Sequence, residues 1–202
     1  EPAWRLDIGA QGLELIADDG ASRAFASGPL VVEAEGLRSY QGTSAGGELE
    51  ALVFDRVCVD TMSGMTHPNT VEVRWQDRVL RGCGGDPARL LQGEPWEVVE
   101  LDGRAVADPA RITLGFAAEG RLAGSAACNR YFGSYVLSGE GLRLSPLGAT
   151  KMACESRAME EERRFMVAAA TVSGFAIATD GGLELRAGER VVMRARRASG
   201  PR

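Results

Sequence analysis

Four cysteines constrain this chain more than anything else in it. Cys58 and Cys83 stand in the first half, 25 residues apart, and Cys128 and Cys154 in the second, 26 apart. Four cysteines allow three pairings, all formally open. Pairing within each half needs no contact between the halves and is preferred. Closing a loop of about 26 residues restricts the unfolded chain by roughly 3.5 kcal/mol in the chain-entropy model, a large contribution for a small domain. The rival readings are a zinc site or a nucleophilic thiol. Zinc sites usually show close pairs such as Cys-x-x-Cys, which are absent, and a thiol nucleophile generally needs a histidine base, for which only His67 is available. Disulfides persist in oxidising compartments, so the pattern predicts an exported protein. A start at Glu1 without methionine or apolar leader fits a mature form whose signal peptide is gone, with a lipid anchor upstream of Glu1 possible in the precursor.

The 202 residues suit one large domain or two small ones. Residues 1–88 hold 14 acidic side chains against 7 Arg, and residues 89–202 hold 14 against 16 basic ones. An acidic first half repels phosphate, and no run of basic residues interleaved with aromatics occurs, so a nucleic-acid partner is not expected. The longest apolar stretch, 165–177, is interrupted by Thr171, Ser173 and Gly174 and falls short of the roughly 18 residues of a membrane-spanning helix.

Short alternating segments fill the first half: Trp4, Leu6 and Ile8, then 30–32, 52–57, 71–75 and 79–80, bounded by Gly, Asp, Asn or Pro. Gln76-Asp77 joins the last two as a tight hairpin. Residues 42–47, Gly-Thr-Ser-Ala-Gly-Gly, read as a flexible loop, and no Lys-Ser or Lys-Thr follows to make it a phosphate-binding loop. The cluster around Gly84-Gly85-Asp86-Pro87 places a linker at 86–93, dividing the chain into 1–88 and 89–202. Strands are expected again at 96–101, 112–116, 121–124, 131–137, 142–144, 174–177, 183–185 and 191–194. One segment differs: from Glu155 to about Val172 apolar residues recur at helical spacing, with Glu160 four residues before Arg164. The fold class is therefore mainly β, two small antiparallel barrel-like domains, the second with one amphipathic helix at about 155–172 whose charged run reads as a solvated face.

Trp96, then Gly124-Ser125-Ala126-Ala127-Cys128-Asn129-Arg130-Tyr131, then Leu147-Gly148-Ala149-Thr150-Lys151-Met152-Ala153-Cys154 ahead of an acidic helix form an ordered set of blocks. Together they resemble the META domain (HslJ-like) family over roughly residues 90–196. That family usually has Gly before the Cys-Asn pair, where this chain has Ala127, a residue that disfavours a positive φ. Cys58-Val59-Asp60-Thr61-Met62-Ser63-Gly64, Pro68 and Gly82-Cys83-Gly84 resemble a second bacterial envelope lipoprotein module over about residues 1–85, with His67 where an aromatic is expected. The resemblance implies a periplasmic or outer-membrane lipoprotein of a bacterium, compact and β-rich, tied to stress response and without an established enzymatic mechanism. It also implies Asn129, Tyr131, Thr150 and Met152 as motif positions.

Asp60, Ser63, Thr66 and His67 fall within eight residues, but triad members normally converge from separate elements and the Gly-x-Ser-x-Gly elbow is missing. Asp60, Ser63 and Gly64 read as a turn in which Asp60 or Ser63 bonds local backbone. Asn129 and Thr150 each adjoin a cysteine or its approach and read as backbone-bonding residues rather than ligand contacts. Trp4, Trp75 and Trp96 read as core. No catalytic set, cofactor fingerprint or metal cluster is expected, and the partner is an unknown protein or envelope component. The leading expectation is a non-enzymatic envelope protein serving as an interaction or protective module. The alternative is inhibition of a lysozyme-like hydrolase through the Ser63-Gly64 loop, since an acidic half attracts a basic enzyme. A cavity with convergent polar groups would instead indicate small-molecule binding.

Overall fold

The computed structural model describes residues 4–108 and 111–198. They group into two compact units, one formed by residues up to Met62 with His67–Asp86, the other by Ser63–Thr66 with residues from Pro87 onward. The chain is mainly β, as its alternating patterns predict.

In the first unit, Trp4–Gly9 (β1), Gly12–Ala17 (β2) and Ser22–Ser27 (β3) form an antiparallel sheet in the order β1-β2-β3. Leu30–Ala34 (β4), Leu37–Ser44 (β5), Gly47–Phe54 (β6), Asn69–Trp75 (β9) and Arg78–Gly84 (β10) form a second, ordered β10-β9-β6-β5-β4. Between β6 and β9 the chain runs through Cys58–Val59 (β7) and Thr66–His67 (β8). Period-two alternation puts Leu13 and Leu15 of one sheet, and Leu49, Ala51, Val71, Val73 and Trp75 of the other, into a single core. Residues 42–44 are strand rather than flexible loop, because Gly42, Thr43 and Ser44 pair with Leu49, Glu48 and Gly47 and leave only a short turn. Strand β4 ends the larger sheet with every residue exposed, Leu30, Val31 and Val32 included. Cys58 and Cys83 are disulfide-bonded across β7 and β10, with Cα atoms 5.4 Å apart.

A charged clasp ties this unit's short 3-10 turn at Asp18–Gly20 to β10. The Arg78 guanidinium donates to both Asp18 carboxylate oxygens, at 2.7 and 2.8 Å, and the Ser22 hydroxyl donates at 2.8 Å. These hydrogen bonds, Arg78 first, hold the Asp18 carboxyl down at about 2. A depressed folded-state pKa stabilises above the unfolded value, and that contribution disappears as pH falls through about 2. In an NMR titration Arg78→Ala is expected to return the Asp18 midpoint toward the ordinary 3.8. An unmoved midpoint would contradict this account.

The second unit contains Ala88–Leu91 (α1), Trp96–Leu101 (β11), Arg104–Ala105 (β12), Thr113–Phe116 (β13), Arg121–Ala126 (β14), Asn129–Ser138 (β15), Gly141–Leu144 (β16), Gly148–Ala149 (β17), Ser156–Ala170 (α2), Gly174–Ile177 (β18), Leu183–Ala187 (β19) and Arg190–Arg197 (β20). Its main path runs β16-β15-β14-β13-β11-β20-β19-β18. The path nearly closes into a barrel. At the seam Gly141 lies so close to the Ser173 carbonyl that a Cβ would stand 2.2 Å from its oxygen, which only glycine permits.

Helix α2 buries Ala158, Phe165, Ala168 and Ala169 against the barrel, with the Phe165 ring 5.0 Å from that of Tyr131. Residues 86–93, expected as the linker, hold the boundary between the units at Asp86 and Pro87 and the short helix α1. Leu91 of α1 is fully buried, its carbonyl accepts the Trp96 indole N–H at 2.8 Å, and the Arg197 guanidinium lies 3.8 Å above the Trp96 ring. Arg197 also donates to the Leu90 and Gln92 carbonyls, satisfying the end of a helix too short to satisfy itself. Met65 joins this unit's core, and the Thr66 hydroxyl donates to the Phe175 carbonyl at 3.4 Å.

Candidate functional site

The turn between β14 and β15 organises the motif residues of the second unit. Ala127 sits there at φ 68, the left-handed conformation that its side chain opposes, and its amide donates to the Arg111 carbonyl at 2.8 Å. The conformation that glycine favours is thus present without the glycine. An L-residue in that region costs about 1–2 kcal/mol, while glycine loses about 0.4–1 kcal/mol more backbone freedom on folding. Ala127→Gly is accordingly expected to stabilise the unit by about 0.5–1 kcal/mol. Denaturant melts check this; destabilisation would show that the Ala127 methyl contributes packing that outweighs the strain.

The turn delivers Cys128 to Cys154, with Cα atoms 5.9 Å apart in the disulfide, and Asn129 to the centre of a hydrogen-bond network. The Asn129 side chain, 5% exposed, accepts from the Thr150 hydroxyl at 2.7 Å and from the Met152 amide at 2.8 Å. Its amide nitrogen donates to both Glu162 carboxylate oxygens, at 3.1 and 3.2 Å, and its backbone N–H donates to Glu162 at 2.8 Å. Thr150 in turn accepts from the Arg130 amide at 3.2 Å. One buried amide therefore joins the β14–β15 turn, the segment leading to Cys154, and α2. Tyr131 is buried behind it, donating to the Thr113 carbonyl at 2.8 Å, and burial pushes its phenol pKa up, so the hydroxyl stays a neutral donor.

On the outer side of this network lies a depression of about 470 Å³ between α2 and the Met152 segment. Its walls are chiefly apolar, from Met152, Met159, Met166, Val167 and Ala170, with Asn129, Glu162 and Arg163 as polar groups. Met159, Met166 and Glu162 share a helix face, being spaced by three, four and seven residues. The charged run of α2 is not simply a solvated face. Glu162 holds Asn129, Glu161 accepts the Ala107 amide at 3.2 Å, and Glu160 pairs with Arg163 rather than with Arg164, which donates to the Leu101 carbonyl. Glu162, Met159 and Met166 were not legible as site residues, although an Asn beside a cysteine in one block and an acidic helix start in the next gave a faint signal.

The Asp60–Gly64 segment forms a turn. The Asp60 carboxylate accepts the Met62 amide at 3.0 Å, the Ser63 hydroxyl accepts the Met65 amide at 3.2 Å, and Gly64 takes φ 70. His67 Nδ1 lies 3.2 Å from the Gly85 carbonyl. Trp75 and Trp96 are buried and Trp4 packs at the edge of the first core. Among the described residues no group of three or more His, Cys, Asp and Glu side chains is placed to hold a metal ion, and no helix is long and apolar enough to cross a membrane.

Comparison with known proteins places these observations. Residues 89–199 match the META domain. A search of curated proteins found no match. One similar solved structure is the NMR structure of the protein from Burkholderia xenovorans, 24% identical, covering 58% of this chain and 94% of its own, with a TM-score of 0.46.

Proposed function

Since the chain belongs to the META domain family, we propose that it is a non-enzymatic protein of the bacterial cell envelope, periplasmic or lipid-anchored, that acts by binding. The site of binding in the second unit is the depression beside α2, and its ligand is a small amphiphile with an apolar body and a hydrogen-bonding head. One observation carries this reading: motif residues Asn129 and Met152 line the same depression as Met159 and Met166. A volume of about 470 Å³ lies within the ~300–1,000 Å³ of small-molecule sites, which combine apolar walls with a few polar groups. Thioethers suit such walls because they are polarisable and adapt to ligand shape. The two disulfides support the envelope assignment, since they persist outside the reducing cytosol. The motif side chains Asn129, Thr150 and Tyr131 are engaged in bonds within the protein, which supports a scaffolding rather than a reacting role.

Methionine methyl signals report on this directly. In a 13C-methyl spectrum titrated with decylamine and 1-decanol, the Met152, Met159 and Met166 signals are expected to move, while those of Met62, exposed elsewhere, and Met193, in the core, stay. Shifts confined to Met62, or none, would sink the proposal. The exposed 61–64 turn keeps inhibition of a lysozyme-like hydrolase as a second reading. Unimpeded lysozyme activity at low salt with excess protein would remove it.

A further inference from the structure

We propose that the outer face of the five-stranded sheet in the first unit is a binding site for an uncharged saccharide. This goes beyond the reading above and concerns a different unit. A depression of about 430 Å³ opens on that face over β5, β6 and the end of β9. The strand register explains its walls. Gln41 lies opposite Glu50, and Glu50 opposite Arg74, so these three side chains form one row across three strands. The next outward-facing row, two residues along each strand and about 7 Å away, holds Thr43 opposite Glu48, with Gln76 at the turn after β9. Between them Leu49 and Trp75 send their side chains inward to the core and leave backbone as the floor.

The two rows differ in a way that suits a polyol. In the first, the Gln41 amide donates to Glu50 at 2.8 Å and Arg74 donates to Glu50 at 3.0 Å and to Glu72 at 3.0 Å, while Arg81 donates to Glu72 at 2.9 Å. That row is fixed in place and its charges are paired. In the second, the Thr43, Glu48 and Gln76 side chains make no hydrogen bond among the described residues. They offer a hydroxyl, a carboxylate and an amide, donors and acceptors within reach of one ligand. Sugar hydroxyls, each donor and acceptor at once, match that mixture. Phosphorylated or carboxylated ligands do not, because Glu48 adds an unpaired negative charge beside Glu50. A purely cationic ligand would leave the Thr43 hydroxyl and Gln76 amide donors without acceptors. The volume of about 430 Å³ has room for a sugar ring.

The test uses the full chain, 15N-labelled, with chitotriose and maltotriose as neutral probes and glucose 6-phosphate as the charged one. Backbone amide signals of Gln41, Thr43, Glu48 and Gln76, and the side-chain amide signals of Gln41 and Gln76, are expected to shift with at least one neutral probe at about 10 mM, the range of weak sites. Gln41→Leu and Thr43→Val, conservative changes at exposed strand positions, are each expected to weaken that binding at least fivefold with the remaining spectrum unchanged. No shift with either neutral probe, shifts mapping to another surface, or equal response to glucose 6-phosphate would overturn the proposal.

Discussion

Replacing both Cys128 and Cys154 with Ser is expected to remove about 3.5 kcal/mol of stability from the second unit. The loop closed there spans 26 residues, and the open chain regains the freedom that closure denies it. The bridge also joins the Ala127 turn to the segment entering α2, so its loss loosens the approach of Asn129 to Thr150 and Glu162. Hydrogen exchange gives the readout: amides of β14, β15 and α2 are expected to lose protection, while those of β6 and β9 keep theirs. The matching Cys58→Ser, Cys83→Ser variant is expected to show the reverse. Losses below about 1 kcal/mol would mean that the chain-entropy account does not hold here.

Asn129→Ala is the second large effect. It removes a side chain that accepts two hydrogen bonds and donates to a carboxylate: the Thr150 hydroxyl and the Met152 amide lose their acceptor, and Glu162 keeps only the backbone N–H of position 129. Groups left without partners in a part-buried site cost about 1–3 kcal/mol each, partly recovered by water, so a loss of about 3 kcal/mol is expected in denaturant melts. Asn129→Asp separates geometry from charge. It keeps the acceptor for Thr150 and Met152 but sets a second carboxylate against Glu162, and like charges in one site raise a carboxyl pKa. A raised folded-state pKa gives stability that is present at low pH and lost as pH rises. Asn129→Asp is therefore expected to be weak at neutral pH and to recover part of its stability below about pH 5. Equal stability of this variant and the parent at neutral pH would refute the contact between the side chain at 129 and the Glu162 carboxylate.

Helix α2 was readable because one stripe of apolar residues recurs with helical period. The expected span of about 155–172 and the observed Ser156–Ala170 differ only at the fraying ends. Strand β3 was not readable. Its buried residues are Ala24 and Ala26, too small to mark a hydrophobic face, and they are inside because glycines oppose them: a Cβ at Gly12 would stand 2.2 Å from the Ala26 carbonyl oxygen, and one at Gly42 2.8 Å from the Ala26 side chain. Close approach of small residues carries little hydropathy signal. The loop-like composition of Gly42 to Ser44 has the same cause, since Gly42 there serves tight packing against Ala26. In the second unit the turn at 127 could not be inferred from Ala127, because neighbouring bonds impose what the residue opposes. The helix carboxylate Glu162 reads in the sequence as one of three solvated acids, because its partner lies 33 residues earlier in the chain.

The bare strand β4 has a consequence for how this protein behaves at high concentration. Leu30, Val31 and Val32 offer an unpaired ladder edge that is apolar on both sides, with Glu33 as the strand's charged residue. Such an edge can template the addition of a strand from another molecule, so clumping in concentrated preparations would nucleate there, and a lysine placed at Val31 would act as a gatekeeper against it.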